Sequence, residues 1–132
     1  MEAKYSKGMV FGVFDTFHEG HKYFLSQAKS KCRELVVVVT LPEVVKRMKN
    51  KLPKRTFDER VSDIRNFDST LLIVPGDLIL GEWSVLKLHK PDTVLVGYDQ
   101  QGILHELRKM GIAHAQIGSH FPEKYKSSLL SA

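Results

Sequence analysis

Two histidines flank a glycine where the first predicted strand meets the first predicted helix. Residues 12–21 read Gly-Val-Phe-Asp-Thr-Phe-His-Glu-Gly-His, which places His18 and His21 on either side of Gly20. A helix N-terminus presents unpaired backbone N–H groups and the positive end of the helix dipole, so it attracts phosphate. Imidazole rings add donors that turn cationic beside an anion near neutral pH. Together these groups suit the stabilisation of negative charge on a phosphate under attack.

A structural explanation of the same segment is the alternative. The histidines would then only cap a surface helix, and Gly12 and Gly20 would only serve a turn. Two histidines, two glycines and Asp15 within one strand-to-helix connection favour phosphate binding instead, with the glycines allowing close approach of the backbone to a ligand.

Strands and helices alternate along the chain, with short connections. Strands are predicted at 9–13, 35–40, 71–74, 93–96 and 112–117. Helices are predicted at 20–31, 42–48, 57–67, 83–89, 102–110 and 127–130, and Thr56 and Glu59 have the spacing of a capping box. This pattern predicts an α/β fold, a Rossmann-like doubly wound parallel five-stranded sheet in the order 3-2-1-4-5, with residues 1–132 as a single domain.

Composition narrows the class of protein. The formal net charge of +5 suits acidic partners such as nucleotides. The single cysteine, Cys32, excludes an internal disulfide and favours the reducing cytoplasm. No apolar run is long enough to span a bilayer, and no cluster has the spacing of a metal site, so we expect neither membrane insertion nor a structural zinc.

The predicted strand order brings two polar loops together. In a doubly wound sheet the ligand crevice lies at the carboxyl ends of the strands, where the strand order reverses. The first and fourth strands are neighbours at that point. Residues 12–21 and the Gly-Tyr-Asp-Gln loop at 97–100 are therefore expected to face one crevice.

Residues 12–21 resemble the signature of the cytidylyltransferase-like nucleotidyltransferases. The resemblance continues over most of the chain through these positions: Lys49, Arg60, residues 97–100 and residues 126–128. One departure is Val13, because many members of the family have Thr after the first glycine and this chain lacks that hydroxyl.

The resemblance implies roles for individual residues. The catalytic set is His18, His21 and Lys49. The nucleotide-binding set is Gly12, Val13, Phe14, Asp15, His18, His21, Gly97, Asp99, Gln100, Ser127 and Ser128, the two serines contacting the β- and γ-phosphates. The acceptor or phosphate set is Lys46, Lys49, Arg60, Tyr98 and Lys126.

Simpler roles exist for some of these residues. Most cations between residues 46 and 55 suit a solvated loop, Lys49 being favoured for phosphate. Arg60 on a helix suits a surface ion pair with a neighbour such as Asp63, and Asp99 suits a cap of the following helix.

The resemblance also implies the reaction. An acceptor phosphate would displace pyrophosphate from ATP or CTP, with Mg²⁺ accompanying the triphosphate. Residues 97–100 and 126–128 resemble members that adenylylate FMN, and we favour that activity. Overall size equally resembles glycerol-3-phosphate cytidylyltransferases, so such a CTP-dependent enzyme is the alternative. The family also suggests a homodimer.

A non-catalytic nucleotide- or RNA-binding module is the alternative from another class of function. No aromatic residues are interleaved with the basic stretch, so no nucleic-acid partner is expected.

Overall fold

Five parallel strands form the centre of the protein, and the computed structural model describes residues 3–77, 82–97 and 100–117. The sheet order is β3-β2-β1-β4-β5, which confirms the predicted topology. The strands are β1 (Tyr5–Gly12), β2 (Cys32–Val39), β3 (Leu72–Pro75), β4 (Thr93–Gly97) and β5 (His114–Ile117). The helices are α1 (Glu19–Ser30), α2 (Pro42–Lys49), α3 (Phe57–Phe67), α4 (Ser84–His89) and α5 (Gln101–Met110). That residues 1–132 form one domain stays a prediction.

The predicted and observed elements differ mainly at their ends. β1 begins at Tyr5, four residues earlier than residue 9, because the Tyr5 N–H donates to the carbonyl of Lys31 and Tyr5 pairs with Cys32 of β2. The capping box at Thr56 and Glu59 is confirmed, since each side chain accepts from the backbone N–H of the other. The helix predicted at 127–130 lies outside the described residues.

Helices cover both faces of the sheet. One face packs against α1 and α3 in a cluster that includes Leu25 and Ile64, both fully buried. The other face packs against α4 and α5 through Val85, Leu104 and Leu107. The apolar run in β2 is buried from Leu35 to Val39, which confirms a central parallel strand. No helix in the described part of the chain has the length and apolarity needed to cross a membrane.

Candidate active site at the carboxyl ends of β1 and β4

His18 and His21 form a capping box at the N-terminus of helix α1. His18 is the N-cap residue, and its Nδ1 accepts from the backbone N–H of Gly20 at 3.1 Å. The Nδ1 of His21 accepts from the backbone N–H of His18 at 3.3 Å, and the two rings stack with centroids 3.7 Å apart. A nitrogen that accepts a hydrogen bond carries no proton, so each neutral ring carries its proton on Nε2. Each ring is therefore a donor at Nε2, at the N-terminus of α1.

His21 is neutral at physiological pH in the unliganded chain. Burial lowers the pKa of His21, and the neighbouring His18 and Lys49 lower it further, whereas Asp15 raises it; the pKa lies at about 3. That the ring turns cationic beside a bound anion stays a prediction. Lys49 lies in the last turn of α2 and is exposed. Its positive charge is nevertheless close enough to His21 to lower the pKa of that ring.

The loop after β1 is held in an unusual backbone conformation. Phe14 and Thr16 have φ angles of 54° and 46°, in the left-handed region that non-glycine residues rarely adopt. The Phe14 ring is 3% exposed and folds back over Gly12. A Cβ added at Gly12 would lie 2.7 Å from two atoms of that ring. Gly12 is therefore needed for this turn of the loop, which sets the start of α1.

Asp15 ties this loop to the basic segment at residues 49–55. Its carboxylate is 9% exposed and accepts from the backbone N–H groups of Lys54 (2.8 Å), Arg55 (3.0 Å) and Thr16 (3.1 Å). Burial on its own would raise the pKa of Asp15, but these hydrogen bonds and the charge of Arg60 hold it below the usual value. Asp15 thus acts on backbone groups in the structure, and its predicted contact with the nucleotide stays a prediction.

Arg60 is an interior residue. Its side chain is fully buried, and its Nη1 donates to the carbonyls of Val13 at 3.0 Å and Thr40 at 2.8 Å. The alternative of a surface ion pair with Asp63 is wrong, because the Asp63 carboxylate receives two hydrogen bonds from Arg55, at 2.7 and 2.9 Å. Arg60 holds the segments that follow β1 and β2 together, and a phosphate contact from it stays a prediction.

Gln100 bridges the point where the strand order reverses. β1 pairs with β2 as far as Gly12, but with β4 only at Gly8 and Met9. Beyond Met9 the side chain of Gln100 spans the gap: its Nε2 donates to the carbonyl of Phe11 at 2.8 Å, and its Oε1 accepts from the N–H of Gly97 at 2.9 Å. The Gln100 amide thus replaces the backbone hydrogen bonds that β1 and β4 no longer form at this level of the sheet. It sets the separation of the two strands at the crevice.

Thr40 is a residue that sequence reasoning missed. Both its N–H (3.0 Å) and its Oγ1 (3.2 Å) donate to the carbonyl of Gly12. The signal available in the sequence was its position directly after β2, at the same edge of the sheet as Gly12.

Lys46 is an exposed residue of α2. Five predicted site residues lie outside the described part of the chain: Tyr98, Asp99, Lys126, Ser127 and Ser128.

A cleft of about 520 Å³ is lined in part by the loop after β1. Its lining combines two aromatic rings with charged and polar side chains: Thr16, Phe17, Lys22, Arg55, Asp63, Asn66 and Phe67. Both cations are engaged by carboxylates, Lys22 by Glu19 and Arg55 by Asp63. The cleft is therefore not built to receive phosphate.

The strand order, with a strand-loop-helix at its reversal point, is that of a doubly wound α/β domain, in which ligands bind at this edge of the sheet. The cytidylyltransferase-like family model matches residues 9–130. This chain belongs to that family, and the prediction of a nucleotidyltransferase is confirmed.

Named relatives agree with this assignment. The FAD synthase of Thermococcus onnurineus is 36% identical over 132 residues, which cover 95% of this chain and 85% of the relative. The FAD synthase of Korarchaeum cryptofilum is 39% identical over 79% of this chain and 74% of the relative. Among solved structures, the lipopolysaccharide core biosynthesis protein of Thermoplasma volcanium superposes with a TM-score of 0.70 at 27% identity, covering 86% of this chain and 95% of that one.

Proposed function

We propose that this chain is an FMN adenylyltransferase, which transfers AMP from ATP to the phosphate of FMN and releases pyrophosphate. The observation that carries the proposal is the stacked pair His18 and His21, with both ring protons on Nε2 at the start of α1. The FAD synthase relatives select the acceptor, because they match over most of their own length. They bear out the choice of FMN over glycerol 3-phosphate.

The reaction is a direct displacement at phosphorus. A phosphate oxygen of FMN attacks the α-phosphorus of ATP, a new P–O–P bond forms, and the bond from the α-phosphorus to the oxygen bridging to the β-phosphate breaks. Charge moves onto the departing pyrophosphate. His18, His21 and the N-terminus of α1 donate to that charge, and Lys49 adds a positive charge at the end of α2. Catalysis then rests on positioning and charge neutralisation, without a covalent enzyme intermediate.

Magnesium enters this proposal with its substrate. No group of three His, Cys, Asp or Glu side chains that could hold a metal occurs in the described residues. The carboxylate of Asp15, the acid of the loop after β1, already accepts three backbone N–H groups. We therefore propose Mg·ATP as the substrate, with triphosphate oxygens and water as the ligands of the metal.

The remaining site residues complete the proposal. Ser127 and Ser128 would contact the β- and γ-phosphates, with Tyr98, Asp99 and Lys126 around the base and acceptor. The family resemblance supports these roles.

We also propose that the chain works as a cytoplasmic homodimer. The family resemblance supports this proposal. Sedimentation equilibrium should give twice the monomer mass, and a monomer at micromolar concentration would contradict the dimer.

Product analysis tests the function. The chain is incubated with ATP or CTP, each with FMN or glycerol 3-phosphate, and the products are separated by chromatography. FAD is expected from ATP and FMN alone. CDP-glycerol from CTP and glycerol 3-phosphate, without FAD, would contradict the proposal.

A further inference from the structure

Trp83 has a backbone conformation that its side chain disfavours. Its φ and ψ angles of 56° and 35° lie in the left-handed region, where a bulky residue is an outlier. Strain of this kind persists where the surrounding structure holds it, and it occurs often at binding sites. Glycine or asparagine would adopt the same backbone at lower cost, so an indole at this position calls for an explanation in terms of the side chain.

The indole lies at the end of β1. Its ring is half-buried and meets the ring of Phe11 edge to face, with centroids 5.2 Å apart and planes at 83°. Phe11 directly precedes Gly12, where the loop towards His18 begins. The carbonyl of Phe11 is the one that Gln100 holds across the gap between β1 and β4.

These contacts place an aromatic surface beside the crevice. Phe11 lies beyond Met9, the last residue of β1 that pairs with β4, so its ring and the indole that touches it lie at the carboxyl end of the sheet, on the face covered by α4 and α5. The Phe11 side chain packs against the two core clusters that include Val85 and Leu104, and its carbonyl accepts from Gln100. A partly exposed indole at such a place suits a flat aromatic ligand.

We propose that Trp83, supported by Phe11, forms the wall against which the isoalloxazine ring of FMN stacks. The inference rests on the proposed FMN adenylyltransferase function and assigns the part of the acceptor that the histidines do not hold. The ribityl chain of FMN separates its ring from its phosphate, so the ring needs a surface beside the phosphate loop. An electron-rich indole and the electron-poor isoalloxazine are complementary in stacking.

Kinetics of three variants test the wall. Trp83→Leu is expected to raise the KM for FMN about tenfold, in the range of aromatic stacking contacts, with the KM for ATP nearly unchanged. Trp83→Phe keeps an aromatic face and should stay within about threefold of the wild type. Leu88→Ala is the matched control in the same helix, since Leu88 is 76% exposed, and it should leave both KM values unchanged.

Flavin fluorescence adds a readout that a purely structural role would not move. Trp83 is the only tryptophan in the chain, and an indole in contact quenches flavin emission by electron transfer, which phenylalanine does not do. FMN bound to the wild-type chain should be strongly quenched, and FMN bound to Trp83→Phe should emit more strongly than that.

Several results would overturn the inference. One is an unchanged KM for FMN in Trp83→Leu with FAD still produced; another is a rise in the KM for ATP instead, which would make the wall a site for adenine. A rise in the KM for FMN in Phe67→Leu but not in Trp83→Leu would place the ring in the 520 Å³ cleft. A wild-type chain that makes no FAD would instead overturn the proposed function itself.

Discussion

In both His18 and His21 the two ring nitrogens have different roles. The Nδ1 atoms accept from the backbone at the start of α1, and the Nε2 atoms carry the ring protons. Replacing either histidine by alanine would thus remove a helix cap as well as a donor, at a cost of about 1 kcal/mol in the free energy of unfolding. Separating catalysis from folding therefore requires substitutions that keep the helix cap.

His18→Asn and His21→Gln separate catalysis from capping. Asparagine is a good N-cap residue, and glutamine at the third helical position returns a hydrogen bond to the N-cap N–H. Both variants lose the imidazole and keep only an amide N–H, which cannot become cationic and is placed differently from the ring Nε2–H. The free energy of unfolding should therefore change little, while kcat for FAD formation falls by about 10² to 10³ in each.

Urea denaturation and steady-state kinetics on the same preparations check this prediction. His18→Ala and His21→Ala serve as comparison variants that lose both functions. Near-normal turnover in His21→Gln would remove that ring from the catalytic set.

The pKa of His21 predicts how stability depends on pH. This pKa is about 3 in the folded chain, against the ordinary value of 6.5. Between those values the unfolded chain binds a proton at this residue that the folded chain does not. Stability should therefore fall as the pH drops from about 6.5 towards 3, by up to about 1.4 kcal/mol per pH unit from this group.

His21→Gln should flatten this dependence, as urea denaturation at a series of pH values would measure. Asp15 contributes in the same direction below about pH 4, because its pKa is also lowered on folding, so some slope should remain in the variant. Equal slopes for the two proteins between pH 6.5 and 4.5 would contradict the low pKa of His21.

At the scale of elements, the crevice depends on side chains that bond backbone groups far away in sequence. Asp15 reaches residues 39 and 40 positions on, and Gln100 reaches Phe11 across 89 positions. These bonds join the loop after β1 to the basic segment, and β1 to β4. These bonds fix the positions of the loop that carries the histidines and of the basic segment that includes Lys49.

Gln100→Leu should loosen the junction of β1 and β4. The variant leaves the carbonyl of Phe11 and the N–H of Gly97 without the amide, which is expected to lower the free energy of unfolding by about 1–3 kcal/mol. The KM for ATP should rise, since the crevice width changes. Gln116→Leu is the matched control, because Gln116 is exposed on β5 and its substitution should cost no more than about 0.5 kcal/mol.

Denaturant melts and initial rates on the two variants compare the positions. Equal stability of Gln100→Leu and the wild type would mean that the amide bridge does not hold the strands.

These long-range bonds mark the limit of what the sequence predicts. The strand order and the histidine pair at the start of α1 follow from local periodicity and from a contiguous motif. The burial of Arg60 and the backbone contacts of Asp15 do not, because each depends on segments brought together only by the fold. A polar residue in a motif looks the same in sequence whether it faces a ligand or a backbone amide.

At the scale of the whole molecule, the sheet order brings the functional segments to one edge. The loop after β1, the segment after β2 and the end of β4 all lie at the carboxyl ends of adjacent strands, and the net charge of +5 favours the approach of ATP and FMN, both anions. The family match over residues 9–130 agrees with this arrangement.

The fate of the α-phosphorus of ATP is the most direct test of the proposed activity. With FMN present, label at the α-phosphate should appear in FAD, and label at the γ-phosphate should appear in pyrophosphate. Label from the γ-phosphate in the flavin product, or no labelled flavin at all, would contradict adenylyl transfer by this chain.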